Sequence, residues 1–155
     1  MGFSPIGLAI SVAVLAPNLL MLVFPPRDAQ PLVRVPGPVS WLERAGQALC
    51  LIVPAITAPA AIVWPWLAVV LAALTGYYAL WGRYLTRGRT WSLLYLPLNI
   101  VPVPMAVLPV VVFSAAAGLL GNWWIALAAA ILTAGHIPAS VLAARSLRGS
   151  SLGSR

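Results

Sequence analysis

The sequence predicts an all-α integral membrane protein, a compact bundle of five transmembrane helices, and three observations carry that reading. Of 155 residues 62% are hydrophobic and only 7% charged, against a charged fraction of about 25% in a soluble domain. The apolar residues stand in blocks of about 20, the length a helix needs to cross ~30 Å of hydrocarbon. All nine basic residues are Arg, opposed only by Asp28 and Glu43, and they gather in three short segments beside the apolar blocks. A transmembrane barrel needs roughly ten-residue stretches of alternating apolar and polar side chains. The run Leu67 to Leu74 shows no such alternation, which leaves helices as the spanning solution.

Span one is expected at 3–24. It has no basic residues ahead of it and ends at Pro25-Pro26-Arg27 rather than at a small-residue cleavage site, so it reads as a span and not as a removable signal peptide. Span two is expected at 42–63 and span three at 66–84, joined by the tight turn Trp64-Pro65-Trp66. Span four, at 96–120, carries Pro97, Pro102, Pro104 and Pro109. Each proline removes a backbone donor, and the expected form is a short interfacial stretch from Trp91 to Pro97 followed by a kinked crossing. If the region from Pro97 to Pro109 is re-entrant, the count falls to four spans. Span five is expected at 123–144, after the turn Gly121-Asn122, and residues 145–155 form a short basic tail. The connections hold no soluble domain, so residues 1–155 form one membrane domain.

Five crossings put Arg27, Arg34, Arg44, Arg83, Arg87, Arg89, Arg145, Arg148 and Arg155 on one side and none on the other. The positive-inside bias then places the amino terminus outside and the carboxyl terminus inside. Trp64, Trp66, Trp123 and Trp124 fall at the outer interface and Trp41 and Trp91 at the inner one, where amphipathic rings prefer to sit. Small residues four apart, Ala68, Ala72 and Gly76 in span three and Ala126, Ala130 and Ala134 in span five, are expected to pack helices closely.

Polar side chains at membrane depth are costly and become candidate functional groups. Asn18 lies ~9 Å from the inner end of span one at the helical rise. Gln47 is one turn above Glu43 in span two. Tyr77, Trp81 and Tyr84 share a face of span three, whose inner end carries Arg83. Tyr95 and Asn99 begin span four, and His136 lies nine residues before Arg145 in span five. With the orientation applied, Asn18, Glu43, Gln47, Tyr77, Arg83, Tyr95, Asn99 and His136 all fall in the cytoplasmic half. That layer is either a cavity for a polar head with its tail among apolar helices, or a satisfied hydrogen-bond network with Glu43 pairing Arg44 or Arg83. Prolines inside the spans, Pro17, Pro54, Pro59, Pro102, Pro104, Pro109 and Pro138, free carbonyls that broken helices can turn toward a substrate.

The chemistry available excludes much else. One His and two carboxylates cannot build a His-rich metal site or a paired-carboxylate centre, and the lone Cys50 matches no metal spacing and no intrachain disulfide. No cofactor is expected. His136 and Ser140 are four apart on one helix face, without a third orienting group for nucleophilic catalysis. Nucleic acid is excluded as a partner because orientation in a membrane already explains the Arg segments. The runs Thr75 to Arg83 and Leu94 to Asn99 look similar to the second and third helices of the tryptophan-rich sensory or translocator proteins. The order differs: two spans precede the first run here where that family has one, so no family is assigned and no residue role is carried over.

The sequence therefore leads to a non-enzymatic, multi-pass protein of a bacterial-type cytoplasmic membrane. Bacterial origin is read from heavy Arg, Ala and Pro usage without Lys. Its polar layer is expected to bind a lipid-like or small amphipathic molecule or a membrane partner, including a second copy. A small proton-coupled transporter, or a transporter subunit, and a structural assembly factor are the alternatives.

Overall fold

The computed structural model describes residues 2–30, 33–98 and 101–152, and these form six helices. Helix α1 spans Pro5–Val23, α2 Gly37–Ile56, α3 Pro65–Thr86, α4 Trp91–Leu94, α5 Pro104–Leu120 and α6 Trp123–Leu152. Helix α1 and α3, and residues Trp123–Leu147 of α6, are long and apolar enough to cross a membrane. Helix α5 is as apolar but has 17 residues, or about 26 Å at the helical rise. Helix α2 is 20 residues long, and Ser40, Glu43, Arg44 and Gln47 dilute its first half.

Local chemistry sets the helix ends. The Ser4 hydroxyl accepts a hydrogen bond from the Gly7 amide at 3.1 Å and Pro5 opens α1, which satisfies one of the free first-turn donors and uses a ring preset for the helical angle. The α3 helix opens on Pro65 and α5 on Pro104 in the same way. Helix α5 closes on Gly121, whose φ of +57° is left-handed, a conformation that costs glycine nothing. Asn122 then accepts the Trp124 amide at 3.0 Å and caps the start of α6. Gly-Asn thus serves as a two-residue joint between antiparallel helices.

Several helix bounds differ from those expected. Helix α2 starts five residues earlier than span two and stops at Ile56. The chain stays irregular over 57–63 because Pro59 pushes Ala58 out of the helical region, while the Thr57 hydroxyl donates to the Val53 carbonyl at 2.6 Å. Among the described residues, helical structure in span four is confined to α5, which begins at Pro104 rather than at residue 96, and only the four-residue α4 precedes it. Pro97 and Pro102 stand between them, where a helix would lose two donors. Helix α6 runs on to Leu152, through most of the segment expected as a tail.

Hydrogen bonds tie the loops together at two opposite ends. At one end the Tyr84 hydroxyl donates to the Phe24 carbonyl at 2.8 Å, the Arg27 amide to the Arg89 carbonyl at 2.7 Å, and the Trp91 amide to Asp28 Oδ1 at 2.8 Å. At the other end the Gly2 amide donates to the Ile56 carbonyl at 3.1 Å, and the Ala60 and Val63 amides donate to the Leu120 and Leu119 carbonyls at 3.0 and 2.9 Å. The core between them is built around α5, which packs against α1, α3 and α6 and buries Val112, Phe113, Ala116 and Leu120 completely or nearly so.

The most extensive helix pairing is α2 with α6. Two glycines permit it: a Cβ on Gly46 would fall on the Leu132 backbone, and one on Gly135 would fall on the backbone of Glu43. Gly7 stands in the same relation to the Pro54 carbonyl and brings α1 against α2. Of the small-residue stripes expected to pack, only Gly76 is partly buried, beside Leu108 of α5. Ala68, Ala72, Ala126, Ala130 and Ala134 are exposed, and α6 instead buries Ile125, Ala128, Ala129, Leu132, Gly135 and Ala139. In a helix rich in Ala, small residues recur on every face, so spacing alone does not select the packed one.

Candidate functional site

The helices border a half-open cavity of about 400 Å³ beside the α4 end of the molecule. Five of the eight residues singled out in the sequence line it, Asn18 from α1, Gln47 from α2, Tyr77 from α3, Tyr95 after α4 and His136 from α6. A second cavity of about 250 Å³ adjoins it, sharing Trp91, Tyr95, His136 and Ser140. Glu43 lies in this second cavity, together with Gln30, Val33 and Val35 of the connection between α1 and α2. Arg83 lines neither: its Nη2 donates to the Leu93 carbonyl at 3.4 Å and its buried Nε has no partner among the described residues. Asn99 lies outside the described residues.

Helix packing makes the central contact. Gly135 lets the α6 backbone approach Glu43, and the next residue, His136, places its Nδ1 at 2.8 Å from Glu43 Oε1. Glu43 is thus paired with His136, and not with Arg44 or Arg83; Arg44 is exposed. Each side chain is only about a quarter exposed, at 23% and 24%, so the contact is worth more than a surface ion pair. With Glu43 ionised the carboxylate only accepts and Nδ1 is the donor, which leaves Nε2 an acceptor in neutral imidazole and a donor in imidazolium.

A second contact fixes the opposite wall. The Tyr77 hydroxyl donates to Asn18 Oδ1 at 3.0 Å, while Asn18 Nδ2 donates to the Val14 carbonyl at 3.1 Å. Both polar ends of Asn18 are used, which spares this apolar helix an unsatisfied amide. The buried row Tyr77, Trp81 and Tyr84 stacks edge to face, with ring centroids 6.4 and 5.4 Å apart, an arrangement that suits ring quadrupoles. At the cavity edge the Tyr95 phenol, protonated at neutral pH and able to donate, lines both cavities.

Sequence reasoning missed much of the wall: Cys50, Trp91, Met105 and Phe113 also line the larger cavity. Trp81 belonged to the expected aromatic face but was not among the candidates, although its position one turn after Tyr77 would have nominated it. Apolar lining residues carry no signal that separates them from ordinary core. Among the described residues no three His, Cys, Asp or Glu side chains come together, so the site offers hydrogen bonds and aromatic faces.

The class these features define is an α-helical protein with three helices long and apolar enough to span a membrane, bordering a half-open apolar cavity edged by polar groups from four of its long helices. No protein-family model matches the chain, and comparison with curated proteins and with solved structures finds no match.

Proposed function

We propose that this chain is a five-span, non-enzymatic protein of a bacterial cytoplasmic membrane, amino terminus outside and carboxyl terminus inside, that binds a lipid-like or small amphipathic molecule in its polar-edged cavity. The observation that carries this reading is the 400 Å³ cavity in which Asn18, Gln47, Tyr77, Tyr95 and His136 meet apolar walls. Its volume falls in the range of about 300–1,000 Å³ usual for small-molecule sites. Purified protein in lipid nanodiscs is expected to carry a defined small-molecule adduct in native mass spectrometry, diminished in His136→Ala and Glu43→Ala. A wild-type protein without an adduct, with both variants folded and unaltered in oligomeric state, would overturn the binding reading.

Support for five crossings comes from the two sets of loop contacts. The connection after α1 bonds to the segment after α3 at one end, and the segment after α2 bonds to the end of α5 at the other. Helix α5 is short for a crossing, and a proline-rich interfacial stretch ahead of it makes up the length. In a Cys50→Ala background, an impermeant maleimide added to intact cells is expected to label Ile62→Cys and to spare Gly149→Cys. The reverse pattern, or labelling of both, would refute the topology.

Two observations favour alternatives. The Glu43–His136 contact stands between two adjoining cavities, which suits a proton-coupled transporter, and flux that follows the proton gradient in proteoliposomes would mark one. The outward-facing small residues Ala72 and Ala130 suit an assembly factor or a homo-oligomer, and Ala72→Leu would then break the complex while leaving any bound molecule in place.

A further inference from the structure

We infer that the larger cavity takes an uncharged, carbonyl-bearing ring lipid of the quinone class, an inference that rests on the binding reading above and narrows it. No Asp, Glu, Lys or Arg side chain lines this cavity among the described residues. An anionic head would lose its hydration there, and the one ionisable base on the wall, His136, already answers the Glu43 carboxylate, so a low-dielectric interior does not return the cost. The nearest acid, Glu43, is in the neighbouring cavity and already paired with His136. Electrostatics therefore select a neutral head.

The uncharged polar groups select a hydrogen-bond acceptor. Trp81 is 3% exposed, lines the cavity, and its Nε1 has no hydrogen-bond partner among the described residues. The Tyr77 hydroxyl donates to Asn18, and its oxygen lies close enough to the indole to interact but outside hydrogen-bonding geometry. An indole nitrogen only donates, and a buried donor without an acceptor is costly, so a ligand oxygen at this wall would satisfy it. The Tyr95 phenol supplies a second donor and Gln47 an amide to the same cavity.

The remaining lining selects a flat ring. Tyr77, Trp81, Trp91, Tyr95 and Phe113 contribute aromatic rings to one cavity, and the edge-to-face packing of Tyr77 on Trp81 fixes two of them. A quinone head is planar, uncharged and carries carbonyl oxygens on opposite edges, and its isoprenoid tail matches the apolar lining from Leu15, Leu51 and Leu132. Glycerol lipids share the tail but not the flat head, and anionic phospholipids add a charge the site does not answer.

The test uses the full chain in nanodiscs, with a two-isoprene ubiquinone, a diacylglycerol and a phosphatidylglycerol as probes, read by native mass spectrometry and thermal denaturation. The quinone is expected to give a one-to-one adduct and to raise Tm, and Trp81→Phe is expected to weaken its Kd about fivefold, the worth of one neutral hydrogen bond. Gln47→Leu, at an exposed position that folding tolerates, is expected to weaken it by a similar factor of about five and carries the test if Trp81→Phe does not fold. Preferred binding of diacylglycerol or phosphatidylglycerol, or quinone binding unchanged in both variants, would overturn the quinone assignment. A co-purifying adduct that quinone fails to displace would overturn it too, while leaving the binding reading intact. No adduct and no Tm shift with any probe would remove both.

Discussion

Gly135→Ala is expected to destabilise the protein by about 1–3 kcal/mol, the usual cost of overpacking a filled interior. The added methyl would land on the backbone of Glu43, and backbone cannot rotate away as a side-chain tip can. Helices α2 and α6 would have to separate at the crossing that holds His136 against Glu43. Loss of the small-molecule adduct is therefore expected together with the loss of stability. Gly82→Ala is the control, since a Cβ at Gly82, inside α3, meets nothing within 4 Å. That change is expected to be neutral or to stabilise by roughly 0.5–1 kcal/mol, through the better helix propensity of Ala. Denaturation of both variants in mixed micelles would decide the matter: equal stability for the two would mean that α2 and α6 do not meet at Gly135.

A double-mutant cycle on Glu43→Gln and His136→Leu is expected to show a coupling of about 1 kcal/mol. Hydrogen bonds to charged groups contribute about 1.5–3 kcal/mol in soluble proteins. In membrane proteins the measured average is nearer 0.6, with a maximum of about 1.7 kcal/mol, because the unfolded chain also finds partners there. Partial burial of both groups at 23% and 24% exposure places this pair toward the upper part of that range. His136→Leu is expected to be worse than the double variant, since it leaves the carboxylate of Glu43 without its partner. Additive losses would show that the contact contributes nothing to stability, and the network would then have to be sought around Asn18 and Tyr77.

The candidates for the site were legible one at a time because polar side chains in apolar helices are rare. Asn18, Gln47, Tyr77, Tyr95 and His136 were identified on that ground, and they line one cavity. Their pairings were not legible. Glu43 and His136 are 93 positions apart, and nothing in their neighbours in the sequence distinguishes His136 from Arg44 or Arg83 as the partner. Arg83 fell out of the site because a guanidinium at a helix end reaches a nearby carbonyl, here that of Leu93.

Composition and periodicity by themselves determined that this chain is helical and apolar, that α1, α3 and α6 are long enough to span a membrane, and that the Gly-Asn joint turns the chain back. These are local properties: hydropathy over about 20 residues, the missing donor of proline, and the left-handed freedom of glycine each act within a few residues of their source. Only the tertiary structure decided which face of each helix is inside. Hydropathy is nearly uniform around α5 and α6, so the choice passed to shape, and shape placed Gly46 and Gly135 at the crossing while leaving Ala126, Ala130 and Ala134 outward. The contact of His136 with Glu43 follows from that backbone approach, as does the gathering of the polar groups of α1, α2, α3 and α6 around one cavity.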